Sequence, residues 1–211
     1  LFYNWGQRYG ATQLSDGMGH GPIYANIIGN QYIKGPNGHN LSNKSIYIGG
    51  VHAGTRVYVK DNIGLGRMTD TGDDWLLVDD STVATDSASV YRTNTNAFPP
   101  SGMNISPVTS VYENVLNNAG STIGIDRLGN SFNRRDSVDA RVVQEVRSLS
   151  GEIIDSAEQV GGLPAIATST PYPDSDHDGM SDDWEQLHFA TLSRGSPTNS
   201  SSDFDGDGYT D

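Results

Sequence analysis

Short β-prone segments that contain an asparagine at or near their end recur along the first part of the chain. Asn4 lies in "LFYNW", Asn30 in "IYANIIGNQYI" and Asn62 in "TRVYVKDNI", so the intervals are 26 and 32 residues. Gly, Pro, Asn or Asp bounds each segment, as is typical of strands. A recurrence of this length is typical of a solenoid. The pattern therefore predicts a mainly β chain folded as a parallel β-helix, in which asparagines at one corner of successive coils hydrogen-bond to each other.

Two further segments, "SIYIGG" (45–50) and "WLLVDD" (75–80), also have the composition of strands. Two other interpretations of the whole set stay open. In one, the asparagines are loop residues that share no register. In the other, the strands form an antiparallel sandwich.

From about residue 99 onward the pattern indicates helices. The first helix is predicted to have Ser106 as N-cap and Pro107 as its first residue, and to stop at Gly120. The second is predicted to begin after the N-cap Asp136 and to be closed by Gly151. The apolar side chains expected to face inward are Val108, Val111, Val115 and Leu116 in the first helix, and Val138, Val142, Val143 and Val146 in the second. The segment "EIIDS" (152–156) is predicted to be a short strand, and 161–173 has the composition of a linker.

Negative charge is concentrated at the end of the chain. The net charge is −13, and residues 174–211 contribute −9 of it, with ten acidic residues and one arginine. Such a segment repels nucleic acid and anionic membranes, so neither is an expected partner, whereas cations are. No apolar run approaches the roughly 18 to 20 residues that cross a bilayer. The chain has no cysteine, which excludes disulfides.

The segment "DSDHDGMSDDWE" (174–185) has the spacing of an EF-hand calcium loop. Ca²⁺ binds six to eight hard oxygen atoms, and a glycine at position 6, here Gly179, allows the tight turn that directs alternate side chains inward. The predicted ligands at positions 1, 3, 5, 7, 9 and 12 are Asp174, Asp176, Asp178, the carbonyl of Met180, Asp182 and Glu185.

A second copy, "DFDGDGYTD" (203–211), repeats the first nine positions. Its predicted ligands are Asp203, Asp205, Asp207, the carbonyl of Tyr209, and Asp211. An acidic, disordered tail is the alternative interpretation of both copies. The residues after the first loop predict a helix with Trp184, Leu187 and Leu192 facing inward, and Pro171 and Pro173 argue against a helix before it. The two loops resemble the calcium repeats of thrombospondin type 3 and dockerin-like modules.

An ordered set of motifs resembles the C-terminal part of polysaccharide lyase family 1, the pectate lyases, and specifically the secreted bacterial type with a calcium-repeat tail. The motifs run along nearly the whole chain, and the stretch from Arg134 to Pro164 is the most specific. They are "FYNWG" (2–6), "IIGNQYIKGP" (27–36), "VYVKDNI" (57–63), "DDWLLV" (73–78), "VYENVLNNAGS" (111–121), "RRDSVDARVVQEVR" (134–147) and "GEIIDSAEQVGGLP" (151–164).

The resemblance implies a right-handed parallel β-helix with helices packed on it over 1–164, a linker at 165–173 and a calcium module at 174–211. It also implies secretion and calcium-assisted β-elimination of pectate, that is, polygalacturonate. In that family the arginine base and the catalytic calcium ligands lie on coils upstream of the one that resembles "FYNWG". No catalytic residue is therefore expected in this chain, which is expected to be part of a longer one.

Several side chains outside the acidic loops are candidates for a functional role. Trp5, Arg8 and Tyr9 form an aromatic and basic group that is suited to line a sugar groove. Five acidic residues flank "WLLV", but their spacing fits no metal-loop template, so a solvated turn is expected there. They are Asp70, Asp73, Asp74, Asp79 and Asp80.

Two functions follow from the sequence. In the first, the chain is the C-terminal portion of a secreted lyase and needs its N-terminal coils for activity. In the second, it is a non-enzymatic, calcium-stabilised extracellular solenoid that binds a glycan or assembles with copies of itself into fibres.

Overall fold

The computed structural model describes residues 1–5, 10–15, 21–37, 44–83, 91–95, 104–165 and 170–192. The chain forms two compact units. The first comprises Leu1–Ala119 and Ala140–Gly162, and the second comprises Gly120–Asp139 and Leu163–Asp211. The sequence-based boundaries at residues 164 and 173 stay predictions. No helix in the described part of the chain is long and apolar enough to cross a membrane.

The first unit contains eight described strands, all of which pair in parallel. They form sheets of two, three and three strands in the orders β1–β4, β2–β5–β7 and β3–β6–β8. The antiparallel sandwich is therefore wrong for these strands. The strands are β1 (Phe2–Tyr3), β2 (Thr12–Ser15), β3 (Tyr24–Ile28), β4 (Tyr32–Ile33), β5 (Ile46–Gly49), β6 (Arg56–Lys60), β7 (Val78–Asp79) and β8 (Arg92–Thr93).

Paired strands of the first unit lie about 30 to 35 residues apart along the chain. Phe2 lies opposite Tyr32, and Val57 lies opposite Arg92, which are the shortest and longest of these offsets. Successive strands along the chain therefore belong to different sheets, and the chain returns to the same sheet once per repeat. The 32-residue interval predicted from the sequence between Asn30 and Asn62 is confirmed as a repeat of parallel pairing.

The inward side chains of these strands form one apolar core. Ile46 and Ile48 are buried on either side of the outward-facing Tyr47, and Val57 and Val59 are buried on either side of Tyr58, which is the alternation that a strand requires. Because equivalent positions in successive repeats face the same interior, β-branched and leucine side chains stack on one another. The buried core residues are Ile27, Tyr32, Ile46, Ile48, Val57, Val59, Leu77, Val78, Val83 and Tyr91.

The asparagine ladder is confirmed for one of the two predicted steps. Asn62 is completely buried, and its Oδ1 accepts from the backbone N–H of Asn30 at 2.9 Å and from Asn30 Nδ2 at 3.0 Å. Asn4 does not belong to this ladder. Because β1 pairs with β4 and not with β3, Asn4 lies one corner later and bonds to Asn37, at 3.0 Å between Asn4 Nδ2 and Asn37 Oδ1. The 26-residue interval was therefore not one repeat.

The segment "WLLVDD" forms a 3₁₀ helix (Asp74–Leu77) before β7, and not one continuous strand. Asp73 caps this helix, because its Oδ1 accepts from the N–H of Trp75 at 3.0 Å. Leu77 is completely buried, whereas Leu76 is 46% exposed. The side chain of Asp73 thus decides the local structure, which strand propensity alone did not anticipate.

Two longer helices follow, α1 (Val108–Asn118) and α2 (Ser137–Ser148). The predicted cap of α2 is confirmed, because Asp136 Oδ1 accepts from the N–H of Asp139 at 2.9 Å. The predicted cap of α1 is wrong. Pro107 occupies the N-cap position and makes no side-chain bond, so the helix begins one residue later than expected and Ser106 is exposed.

The predicted inward faces of these helices are largely confirmed. In α1, Val108 and Leu116 are buried, and Val111 and Val115 are half-buried. In α2, Val146 is buried, but Val142 is 45% exposed. Residues 152–156 form no strand, and Ile153 and Ile154 are exposed. An extended segment becomes a strand only beside a partner, which these described residues lack.

The second unit contains an antiparallel hairpin, β9 (Ile123–Ile125) and β10 (Ser131–Asn133), and the helix α3 (Asp182–Phe189). As predicted, no helix lies at 170–173 before the acidic loop. The predicted inward face of α3 is partly wrong. Trp184 is half-buried, but Leu187 is 62% exposed and Leu192 is also exposed, while Glu185 is completely buried.

Candidate metal site

The first acidic loop has the backbone shape that its glycine predicts. Gly179 has a φ of +99°, a conformation that a residue with a Cβ adopts only with strain. The carboxylate of Asp174 spans this turn. Its Oδ1 accepts from the N–H of Asp178 at 3.2 Å, and its Oδ2 accepts from the N–H of Gly179 at 3.0 Å. The first and middle parts of the loop are therefore joined by the side chain at position 1.

Three carboxylates of the loop converge. One oxygen from each of Asp174, Asp176 and Asp178 lies within 4.8 Å of the other two. Both oxygens of Asp176 and Oδ2 of Asp178 are buried and have no hydrogen-bond partner, and the Asp178 residue is only 6% exposed. Buried carboxylate oxygens without donors are costly, and like charges at this distance repel each other. A cation between them would remove both costs.

Asp182, at position 9, closes the loop from its other end. Its Oδ1 accepts from the N–H of Ser175 at 2.7 Å, and its Oδ2 accepts from Ser175 Oγ at 2.8 Å. Its own N–H donates to the carbonyl of Pro173 at 2.9 Å. Asp182 lies outside the group of three converging carboxylates. Position 9 of such loops often reaches the metal through a water molecule, with which this placement is compatible.

Positions 7 and 12 are the most deeply buried part of the loop. Met180 is 5% exposed, and Glu185 is completely buried on α3. The helix begins directly after Ser181, whose Oγ accepts from the N–H of Trp184 at 3.2 Å and so caps it. The first turn of α3 therefore places Glu185 in the interior of the second unit, where burying a carboxylate is costly unless opposite charge or donors accompany it.

The residues present fit a hard divalent cation. All candidate side-chain ligands are carboxylates, and the loop contains no histidine or cysteine among its predicted ligand positions. His177 is exposed and has a φ of +63°. In the described part of the chain, one group of three acidic side chains lies close enough together to share a metal ion. This group is Asp174, Asp176 and Asp178.

The other predicted site residues fall into two sets. Trp5 is half-buried, its ring meets that of Tyr32 edge-on at a centroid distance of 6.3 Å, and it packs on the apolar core. This packing accounts for Trp5 without a substrate, so its sugar contact stays a prediction. The remaining predicted residues lie outside the described part of the chain, namely Arg8, Tyr9, Asp203, Asp205, Asp207, Tyr209 and Asp211.

The acidic residues that flank "WLLV" do not act together. Asp74 binds the buried guanidinium of Arg67 at 3.0 Å and Lys60 at 3.2 Å, and it accepts from the N–H of Asp61 at 2.7 Å. Asp80 accepts from Tyr91 and Arg92. Asp70 is exposed. The expected solvated turn is thus wrong for Asp74, because the half-buried side chain of this residue is the centre of an ion-pair network.

Sequence reasoning missed the hairpin beside the loop. The segment "TIGIDRLGNSFN" alternates apolar and small residues around an Asp, Gly and Asn turn, which is a recognisable hairpin signal. Ser181 Oγ donates to the carbonyl of Arg127 at 2.6 Å, and Arg127 binds Asp183 at 2.9 Å. The hairpin therefore contacts the loop and the first turn of α3.

The chain is similar to fungal proteins described as probable pectate lyase C. It is 29% identical over 217 residues to that of Neosartorya fischeri and 27% identical over 221 residues to that of Aspergillus flavus, and both comparisons cover 100% of this chain. The protein from Aspergillus terreus is 27% identical over 190 residues, or 88% of this chain. The chain spans 40–45% of the length of these relatives.

No protein-family model matches the chain, and no solved structure matches it. The similarity to pectate lyases expected from the sequence motifs is thus confirmed at low identity. The bacterial type stays a prediction, since these three relatives are fungal.

Proposed function

We propose that this chain is the C-terminal portion of a secreted polysaccharide lyase that acts on pectate. The observation that carries the proposal is the similarity to probable pectate lyases along the whole chain, together with the repeat of parallel strands. In this proposal the chain contributes the last coils of the fold and a calcium module. The remaining coils would lie upstream, since the relatives contain more than twice as many residues as this chain.

The three parallel sheets of the first unit are proposed to form a right-handed parallel β-helix. The strands β1 to β6 pass through the three sheets twice in the same order, and β7 and β8 return to the sheets of β5 and β6. Parallel crossover connections are right-handed in about 98% of cases because strands themselves twist in that sense. The ladder between Asn30 and Asn62 lies at one corner of two successive coils.

The proposed reaction is calcium-assisted β-elimination of polygalacturonate. In such a reaction a bound cation increases the acidity of the proton at C5 of the sugar, and a base removes that proton. The resemblance assigns the base and the catalytic cation ligands to coils upstream of this chain. The role proposed for the chain itself is to continue the β-helix and to support those coils.

The test compares two proteins, the 211-residue chain and the same chain preceded by the upstream coils of its parent. Only the longer protein is expected to release unsaturated oligogalacturonides from polygalacturonate, as followed by ultraviolet absorbance. Activity of the short chain alone would contradict the assignment of catalysis to the upstream coils. Absence of lyase activity from the longer protein on any uronan would contradict the proposed function.

We also propose that the loop 174–185 binds one Ca²⁺. The supporting observation is the set of buried oxygens of Asp176 and Asp178 that have no donor and converge with Asp174. The carbonyl of Met180 and the carboxylates of Glu185 and Asp182 complete the proposed ligand set. A second Ca²⁺ is proposed at 203–211.

Isothermal titration calorimetry of the metal-free chain tests this proposal. Two calcium sites are expected in the unmodified chain. Asp178→Asn is expected to remove one site and Asp205→Asn the other, because each substitution removes a ligand charge. Asp70→Asn is the matched control, since it removes an exposed carboxylate outside both loops. No calcium heat from the unmodified chain, or equal loss in the control, would contradict the proposal.

A non-enzymatic solenoid is the second candidate, and one observation favours it. The described strands of the first unit stack only through parallel backbone pairing, a contact that can form between two chains as well as within one. In this function the partner is a second copy of the chain, and the ligand is a glycan that the assembly binds without cleaving it. Sedimentation velocity of the longer protein separates the functions, because an active monomer would contradict this second candidate.

A further inference from the structure

We infer that the hairpin turn at 126–130 supports the loop 174–185 in place of an entering helix and sets the calcium affinity of this loop. An EF-hand holds its loop between two helices, whereas here residues 170–173 before the loop are not helical. The inference rests on the proposed calcium binding, and it concerns residues that would not touch the ion.

The carboxylate of Asp126 accepts several hydrogen bonds from other residues of the turn. Asp126 Oδ1 accepts from the N–H of Leu128 at 2.8 Å and from the N–H of Asn130 at 2.9 Å. Asn130 Nδ2 also donates to the same carboxylate, at 3.1 Å to Oδ2. The bonds from the side chain and backbone of Asn130 and from Leu128 hold the pKa of Asp126 below its usual range. The turn is thus held by hydrogen bonds among its own residues, 126–130.

Three contacts join this turn to the second half of the calcium loop. Ser181 Oγ donates to the carbonyl of Arg127 at 2.6 Å, and Arg127 NH1 binds Asp183 Oδ2 at 2.9 Å. The third contact is the indole of Trp184 against Gly129. A Cβ built on Gly129 would lie 2.8 Å from both Cδ1 and Nε1 of that indole, which is too close for real atoms.

The residues that make these contacts alternate with the predicted ligands. Ser181 lies between positions 7 and 9 of the loop, and Asp183 and Trp184 lie between position 9 and Glu185 at position 12. A shift of the turn therefore moves Met180, Asp182 and Glu185 relative to the carboxylates at the start of the loop. Because calcium affinity depends on all ligands reaching one point, the hairpin acts as a positioning element.

Gly129→Ala tests this inference, and Gly72→Ala is its matched control. Both glycines have a φ of +84°, so both substitutions impose the same backbone strain, but nothing lies within 4 Å of a Cβ on Gly72. Calorimetric titration is expected to show about tenfold weaker calcium binding at the loop 174–185 for Gly129→Ala, the lower end of what loss of an outer-shell support costs. Gly72→Ala is expected to bind as tightly as the unmodified chain.

The site is assigned in a background that carries Asp205→Asn, so that the titration reports the first loop. In a Trp184→Leu background, Gly129→Ala is expected to have no further effect, because the indole against which it acts is absent. Asp126→Ala provides a second route, since it loosens the turn without adding an atom near α3, and it is expected to weaken binding as well.

The possible failures are distinguishable. If the unmodified chain binds no calcium, the proposed calcium site is wrong. If it binds calcium and both Gly129→Ala and Asp126→Ala bind equally well, the site stands and the role of the hairpin is wrong. An equal loss in Gly72→Ala, or an unchanged effect of Gly129→Ala without the indole, would also overturn the inference. Far-UV circular dichroism of each variant confirms that the chain is folded.

Discussion

Asn62 is a buried polar residue of the first unit whose side chain both donates and accepts hydrogen bonds. Its amide group is completely buried, donates to the carbonyl of Ile27 at 2.8 Å and accepts two bonds from Asn30. Its backbone carbonyl accepts from the buried guanidinium of Arg67 at 2.6 Å. One residue therefore connects two successive repeats and the turn that follows.

Asn62→Ala is expected to destabilise the protein by about 3 kcal/mol, because it leaves buried partners of the amide unsatisfied. Asn114→Ala is the control. Asn114 is exposed on α1, and its loss is expected to change stability by less than about 0.5 kcal/mol. Urea unfolding followed by tryptophan fluorescence measures both. Similar values for the two variants would mean that the corner amide contributes little.

Tyr91 makes the stability of the first unit sensitive to alkaline pH. Burial, and then the hydrogen bond to Asp80, raise the pKa of Tyr91 to about 12. A group whose folded-state pKa is raised stabilises the fold below its unfolded pKa and loses this contribution as the pH rises through the folded value. The free energy of unfolding is therefore expected to fall between about pH 10 and pH 12.

Tyr91→Phe is expected to reduce this alkaline loss of stability, although the buried Tyr32, whose pKa burial also raises to about 12, retains part of it. Tyr24→Phe, which changes a tyrosine that is 54% exposed, is expected to leave the loss as it was. Urea unfolding at a series of pH values measures the difference. An unchanged pH profile in Tyr91→Phe would contradict the argument.

At the scale of elements, the 3₁₀ helix Asp74–Leu77 links two kinds of interaction. Its first residue, Asp74, binds Lys60 and Arg67, and its last residue, Leu77, enters the apolar core. The backbone carbonyl of Leu77 accepts from the N–H of Ser45 at 2.9 Å. The short helix thus attaches a polar turn to the interior of the repeat.

Two neighbouring leucines of this helix provide a matched pair. Leu77→Ala is expected to cost about 3 kcal/mol, because Leu77 is completely buried and its truncation leaves a cavity. Leu76→Ala, at a position 46% exposed, is expected to cost less than about 1 kcal/mol. Equal effects in chemical denaturation would contradict the burial assigned to this helix.

Considered as a whole molecule, the chain has a strongly uneven charge distribution. Residues 174–211 have a net charge of −9, and the other 173 residues together have −4. Like charges held close together destabilise a compact state unless counter-ions are bound. The stability of the molecule is therefore expected to depend on divalent cations, and the effect of removing one loop carboxylate is expected to depend on whether calcium is present.

Asp176→Asn is expected to have opposite effects with and without calcium. In chelator it removes one of three converging charges and is expected to stabilise the protein by about 1 kcal/mol. At free calcium a hundred times the dissociation constant, loss of the site is expected to cost up to about 2.7 kcal/mol. Thermal unfolding in EDTA and in calcium measures both. A change of the same sign in the two conditions would contradict a calcium site here.

The features that the sequence predicted well depend on residues close together in the chain. The turn at Gly179, the cap at Asp136 and the absence of a helix around Pro171 each follow from backbone preferences of a few neighbouring residues. The 32-residue interval from Asn30 to Asn62 was also visible, because it equals the offset between the paired strands β3 and β6. The inward positions of α1 followed from helical periodicity, as for Val108 and Leu116, which are buried.

The features that the sequence did not predict depend on contacts between distant residues. The sequence around Asn4 has the same strand-like pattern as the segments around Asn30 and Asn62, but Asn4 bonds to Asn37. The reason is that β1 pairs with β4, which places Asn4 at a different corner of the repeat. Leu187 was predicted to face inward from α3, but it is 62% exposed. The turn around Gly129 packs instead on the face of α3 that carries Trp184.

The sequence by itself therefore determined the repeat, the helices and the spacing of the acidic loop, since these arise from local conformational preference and periodicity. Only the tertiary structure decided which asparagines bond, which acidic residues are paired with arginine and lysine, and that a hairpin supports the loop. Ser181 and Arg127 are 54 residues apart, and no periodic pattern joins them. Their contact exists because packing brings the two segments together, which is a property of the folded chain as a whole.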